Sequence, residues 1–387
     1  MKNKRISILV AICLLVSVFA PTAVFAGGDL SKSEIQKINN KFETPGTKIV
    51  RLEDVSSSMS KSKVLKEITS YKLTYKYTQK GTLSSSVKKY YEDKRNLSAI
   101  KSTVKPVYAF VTKPTDLRQF PTDDWAHMSY RYSTSDNFQE CSLRIGEGVY
   151  IMHYSKDRKW AFVGTEYYMG WVKISDLGIS TKEDVIKYTN ADDFYMITRT
   201  STGTLNKKKT TLLMGTKLQR NEDGNALYPA RDTKGKAVLK SEKLSSKYEA
   251  HRGYLDFKRD TLVKQMKKFE GAAYGWGMDN LRQDCTSSVM SAYMTFGILI
   301  PRDTSCWVNI KGRVSLAGKS RGQKISAINK LSKGDLIYYR GHGMMFTGTK
   351  NGKPVITHQT YPKAKTEIMP DSLIDKTDYI YNVIGKK

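Results

Sequence analysis

Cysteine, histidine and acid are all scarce in this chain of 387 residues. It holds four cysteines and five histidines, and 37 acidic residues stand against 65 basic ones. No paired-cysteine or His-x-x-x-His spacing of the kind zinc requires occurs, so metal catalysis is not the default and no cofactor is called for. After the N-terminal stretch no run is apolar enough to span a bilayer. A zinc finger, a helix-turn-helix signature and an RNA-binding aromatic motif are absent too, which argues against a specific nucleic-acid partner despite a formal net charge of +28.

The chain begins with an address. Lys2, Lys4 and Arg5 precede an apolar run from Ile6 to Ala20, and Val24-Phe25-Ala26 offers small residues for cleavage, so residues 1–26 read as a secretory signal peptide. The alternative is an uncleaved anchor. The mature chain is expected to be secreted, extracellular or cell-wall associated, with no transmembrane helix. It keeps Cys141, Cys285 and Cys306, an odd number that leaves at least one free thiol. Pairing of Cys141 with Cys306 stays open. The excess of base predicts attraction to polyanions, which outside a cell are chiefly anionic wall polymers.

Changes of pattern mark out the organisation. Residues 27–105 are polar, rich in Lys, Ser and Tyr and helical in character, a brace for the later domains or a partly disordered spacer. Over 106–180, alternating runs such as Val107-Tyr108-Ala109-Phe110-Val111, bounded by turn residues, predict a small β-barrel. Residues 181–250 alternate again and predict a second barrel, with a single larger β domain as the alternative. Over 251–387, helices precede a run of strands, an α+β pattern. Val289, Ala292, Tyr293 and Phe296 recur at helical spacing and Gly297 ends that helix, which puts Cys285 at its N-terminus. There the helix dipole favours a thiolate. His342 and His358 lie on strands joined by a hairpin turn at Lys350-Asn351-Gly352-Lys353, close enough for one imidazole to fix the tautomer of the other. Taken singly, a cysteine at a helix start and a histidine on a strand are more often structural than catalytic.

Several motifs carry a resemblance. Arg118-Gln119-Phe120-Pro121-Thr122, Asn137-Phe138-Gln139-Glu140 and the series Asp157, Trp160, Gly170-Trp171-Val172 resemble the bacterial SH3-type domain that precedes certain wall hydrolases. Tyr274-Gly275-Trp276-Gly277, Asp284-Cys285-Thr286-Ser287, the run Phe296 to Thr304, Lys333-Gly334-Asp335-Leu336 and the run His342 to Gly348 resemble, in order, the NlpC/p60 cysteine peptidases. The resemblance implies a papain-like fold behind two SH3-like barrels. It implies Cys285 as nucleophile, His342 as general base and His358 as its orienting partner. The implied reaction cleaves the amide between the γ-carboxyl of D-glutamate and a diamino acid in peptidoglycan stem peptides or muropeptides. A free N-terminal L-alanine would be held by Asp284 and Tyr274, with Thr286 beside the nucleophile; Asp284 also suits a helix N-cap. The family's first SH3-type domain roofs the cleft with an acid and a tyrosine, for which Asp124, Glu140 and Tyr130 are candidates. Two other readings remain: a thiol acyl-transferase or amidase acting on another wall amide, and a non-catalytic wall-binding protein.

Overall fold

Serines open all three helices of the N-terminal part. Ser31 caps Lys32–Phe42, Ser60 caps Lys61–Ser70 and Ser84 caps Ser85–Lys94, each side-chain oxygen accepting a backbone N–H three residues on. Each such cap is worth about 1 kcal/mol. The computed structural model describes residues 30–128 and 135–385, so the signal-peptide reading and Tyr130 lie outside it. The helices are packed, not a loose spacer. Phe42 is fully buried with its ring 5.8 Å from that of Tyr381, and Asn39 donates to the Gly297 carbonyl at 2.9 Å while accepting the Leu299 N–H at 3.0 Å. Val64 and Ile68 pack with Phe162 and Trp171 of the first β domain.

That domain is a seven-stranded antiparallel sheet. Its strands run, side by side, Leu177–Ile179, Val107–Val111, Gly148–Tyr154, Trp160–Gly164, Met169–Lys173, Thr115–Arg118 and Gln139–Leu143. Alternation is weak in its burial because one face fills the interior while the other meets the N-terminal helices or the C-terminal domain. A five-stranded antiparallel sheet comes next, in the order Ala237–Glu242, Ala226–Arg231, Lys217–Arg220, Phe194–Ile197 and Ala250–Arg252, with a separate hairpin of Ser201–Leu205 and Lys208–Leu212. His251 thus belongs to this sheet, since Ala250–Arg252 pairs with Tyr195–Ile197.

In the C-terminal part, helix Cys285–Met294 lies against a six-stranded antiparallel sheet ordered Val314–Ser315, Tyr379–Tyr381, Leu336–Tyr339, His342–Lys350, Lys353–His358 and Lys365–Ile368. Val289, Ala292, Tyr293 and Phe296 are all fully buried, as their spacing predicts. Gly297 has φ +77°, the left-handed geometry that ends a helix without a Cβ penalty. No helix among the described residues is long and apolar enough to cross a membrane.

Candidate active site

Asp284 makes the start of the Cys285 helix. Its Oδ1 accepts the N–H groups of Thr286 at 3.2 Å and Ser287 at 2.8 Å, and Ser287 Oγ accepts the Asp284 N–H at 2.8 Å, closing a capping box. The same carboxylate is gripped by Arg302, Nη1 to Oδ1 at 3.2 Å and Nη2 to Oδ2 at 2.5 Å. Both residues are nearly fully buried, so this is a two-pronged ion pair out of water, where geometry rather than proximity decides its worth. Arg302 also donates to the Thr286 hydroxyl at 2.9 Å, to the Cys141 sulfur at 3.3 Å and to the Glu140 carbonyl at 2.9 Å. One guanidinium therefore ties the nucleophile helix to the first β domain.

Cys285, Tyr274, Asp284 and Thr286 line one pocket of about 240 Å³, with Glu140 and Tyr168 from the first β domain on its other side. The Gly343 backbone, on the strand beginning at His342, lies near enough to the Cys285 sulfur to favour its thiolate. Glycine at 343 is required there, since a Cβ would stand 2.7 Å from the Trp307 ring. His342 Nε2 and His358 Nδ1 are 2.8 Å apart. The three cysteines among the described residues, Cys141, Cys285 and Cys306, are free.

The thiol is not the depressed one that a helix N-terminus alone predicts. Burial and the adjacent Asp284 carboxylate push it up to about 12, outweighing the help of Gly343, Arg302 and Thr286. Burial, then the neighbouring His358, pushes His342 down to about 3. The resting pair is a neutral thiol and a neutral imidazole.

The loop before the helix is held from outside. Met278 adopts φ +63°, costly for a residue with a side chain, yet its side chain is fully buried against the Cys141 sulfur at 3.6 Å and its carbonyl accepts the Ser142 hydroxyl at 3.0 Å. Gly277 beside it approaches the Gln139 carbonyl so closely that a Cβ would sit 2.5 Å away.

Residues 129–173 match the SH3 domain model of the SH3b1 type, and residues 271–376 match that of the NlpC/P60 family. The C-terminal domain belongs to the NlpC/P60 family. An NlpC/P60 endopeptidase from Photobacterium damselae subsp. piscicida is similar over 91% of this chain and 86% of its own, with a TM-score of 0.69 and 16% identity, and so shares the fold. An NlpC/P60 family protein from Bacillus cereus is 19% identical over 66% of this chain and 85% of its own, with a TM-score of 0.47. No curated protein gives a significant sequence match. The two matches fall on the seven-stranded β domain and on the domain that carries Cys285, His342 and His358.

Around this NlpC/P60 site stand one residue that the sequence offered as a candidate and others that it did not. Of the candidates for the roof, Glu140 lines the pocket; Asp124 instead accepts from the Tyr91 hydroxyl at 3.1 Å, away from it. Tyr168, which the sequence did not single out, lines it too. Its hydroxyl lies 2.5 Å from Glu140 Oε2 and 2.7 Å from Asp303 Oδ2. A phenol has one hydrogen, so two ionised carboxylates would leave one of these contacts as bare oxygen repulsion. Both contacts are satisfied together only when one of the two carboxyls is protonated. Burial and Asp303 push the Glu140 carboxyl up, while Ser305, Lys48, Tyr168 and Arg302 hold Asp303 down against its burial, so of the two carboxyls Glu140 keeps a proton to the higher pH.

Glu367 was missed as well. Its Oε1 lies 3.0 Å from His358 Nε2, and its Oε2 pairs with Lys365 at 2.8 Å. Since a carboxylate only accepts, His358 carries its hydrogen on Nε2 and leaves Nδ1 bare. His342 must then donate from Nε2, which leaves Nδ1 as its basic nitrogen. Glu367→Ala is expected to lower kcat/KM by about 10- to 100-fold and Glu367→Gln, which keeps an acceptor, by much less; steady-state kinetics on the purified variants decide it.

Proposed function

We propose that the protein is a secreted, wall-associated hydrolase that cleaves the γ-D-glutamyl-diamino acid bond of stem peptides carrying a free N-terminal L-alanine. The observation that carries this reading is the partly buried Glu140-Tyr168-Asp303 cluster facing Cys285 across one pocket. An α-ammonium supplies the proton donors that such a cluster lacks, and its own charge stands in for a proton on Glu140. Asp284 flanks this position, but its oxygens are already engaged by the cap and Arg302. Its part is to hold the helix and Arg302; Tyr274 packs along the alanine, and Thr286 serves Arg302 through its hydroxyl.

Arg340 lines the pocket from the turn before His342, exposed and with no ion pair among the described residues. A γ-linked D-glutamate leaves its α-carboxylate free, and Arg340 is the cation positioned to meet it. Attack by Cys285 on the γ-carbonyl, with its proton passing to His342 Nδ1, gives an acyl-enzyme; His342 returns the proton to the leaving amine and then activates water. The basic exterior holds the enzyme on anionic wall polymers, and the SH3-type domain, with the five-stranded sheet as a second module of that kind, closes the cleft. Hydrolysis of L-Ala-γ-D-Glu-diamino acid is expected, with its α-linked isomer left uncut. Equal rates on the two isomers would sink the bond assignment.

A further inference from the structure

Remote from the cleft, two pockets merge where the N-terminal helix, both β domains and the C-terminal domain meet. Their volumes are about 490 and 140 Å³, and Glu166, Thr189, Lys217, Tyr254, Gly297 and Leu299 line both. Several charged side chains line this space, and two of opposite sign that line both pockets, Glu166 and Lys217, do not touch each other. The Glu166 carboxylate has no hydrogen-bond or ion-pair partner among the described residues, although its backbone carbonyl accepts the Val50 N–H at 2.9 Å. The Lys217 ammonium donates to the Thr189 carbonyl at 2.7 Å and stands 4.2 Å over the Phe194 ring, but reaches no carboxylate among the described residues. The Tyr254 hydroxyl is likewise without a protein partner among them.

Burying one charge of each sign in one cavity without pairing them is a poor way to gain stability. Burial pushes Glu166 up to about 7 and Lys217 down to about 8, each relieved only partly by the other. A cavity with apolar walls, here Met196, Met294 and Leu299, and a few unsatisfied polar groups converging on it has the make-up of a ligand site. We propose that this junction is a second binding site, for a small zwitterion such as an amino acid or short peptide, whose ammonium meets Glu166 and whose carboxylate meets Lys217. The site also has a route to the cleft. Thr165 Oγ1 accepts the N–H groups of Tyr167 at 3.1 Å and Tyr168 at 2.9 Å, so a single turn presents Glu166 to the junction and Tyr168 to the catalytic pocket. The proposal is independent of which wall bond the cleft cuts.

Glycylglycine is the probe, titrated into the mature protein, with N-acetylglycylglycine and glycylglycine amide each lacking one charge. Saturable binding of glycylglycine is expected by calorimetry, at least about tenfold weaker for either control and for Glu166→Gln or Lys217→Met, and unchanged by Glu140→Gln in the cleft. With methyl-labelled methionine, Met196 and Met294 should shift on binding while Met278 does not, a readout that needs no variant. Absence of saturable binding overturns the proposal. So does binding that survives both junction substitutions, binding lost in Glu140→Gln, or shifts confined to Met278.

Discussion

Cys285→Ala abolishes hydrolysis of an L-Ala-γ-D-Glu-diamino acid peptide, with turnover expected to fall by on the order of 10⁴-fold or more while the fold is kept. Retention of the fold rests on the local structure. Asp284 caps the helix through the backbone of Thr286 and Ser287, and alanine removes only the sulfur. The rate is lost because no other thiol replaces Cys285: Cys141 is buried against Arg302 and Met278, and Cys306 is buried behind Asp303. The resting protonation state adds a second readout. With the thiol pushed up to about 12, iodoacetamide at mildly acidic pH should label Cys285 slowly in the free enzyme. Labelling as rapid there as for a depressed-pKa thiol would contradict the neutral pair. Steady-state assays of wild type and Cys285→Ala, with circular dichroism as the folding control, measure the main effect.

N-acetylation of the substrate's alanine is the second large effect. It removes the ammonium and leaves the Glu140-Tyr168-Asp303 cluster facing an amide. Losing hydrogen bonds to a charged group costs about 1.5–3 kcal/mol, so kcat/KM should fall by roughly 10- to 150-fold. Glu140→Gln should slow the free-amine peptide and shrink the gap between the two substrates. The pH dependence has a definite sign. Glu140 must lose its proton to accept the ammonium, and its carboxyl is raised in the free enzyme, so kcat/KM for the free-amine peptide rises as pH climbs through that raised value. His342 does not set this limb, because it stays neutral down to about pH 3. The acetylated peptide, which does not need the deprotonated acid, should lack the limb. Equal kcat/KM for both peptides would remove the ammonium reading.

The parts of the site legible in the sequence are those made by local rules. Cys285 at a helix start, Gly297 at its end and two histidines joined by a hairpin all come from periodicity and turn chemistry within short windows. Parts built by distant segments were not legible. Tyr168 is one of several tyrosines on short β runs, and only the docking of the first β domain brings it to Asp303, 135 positions away. Glu367 sits on an exposed-looking strand whose register with His358 no spacing announces; the pairing of Thr357 with Thr366 and His358 with Lys365 sets it beside the imidazole. The thiol was misjudged for a related reason. A helix dipole is a local feature, whereas the burial and the Asp284 carboxylate that outweigh it depend on the neighbouring domain and on Arg302. The left-handed backbone at Met278 is not legible either, because the contacts that stabilise it come from Cys141 and Ser142.

The most direct test is to digest L-Ala-γ-D-Glu-diamino acid in ¹⁸O-water and identify the products by mass spectrometry. Attack of Cys285 on the γ-carbonyl and subsequent hydrolysis predict L-Ala-D-Glu with one ¹⁸O in its γ-carboxyl, together with unlabelled diamino acid. Release of alanine, or transfer of an unlabelled L-Ala-D-Glu acyl group to another amine, would contradict it.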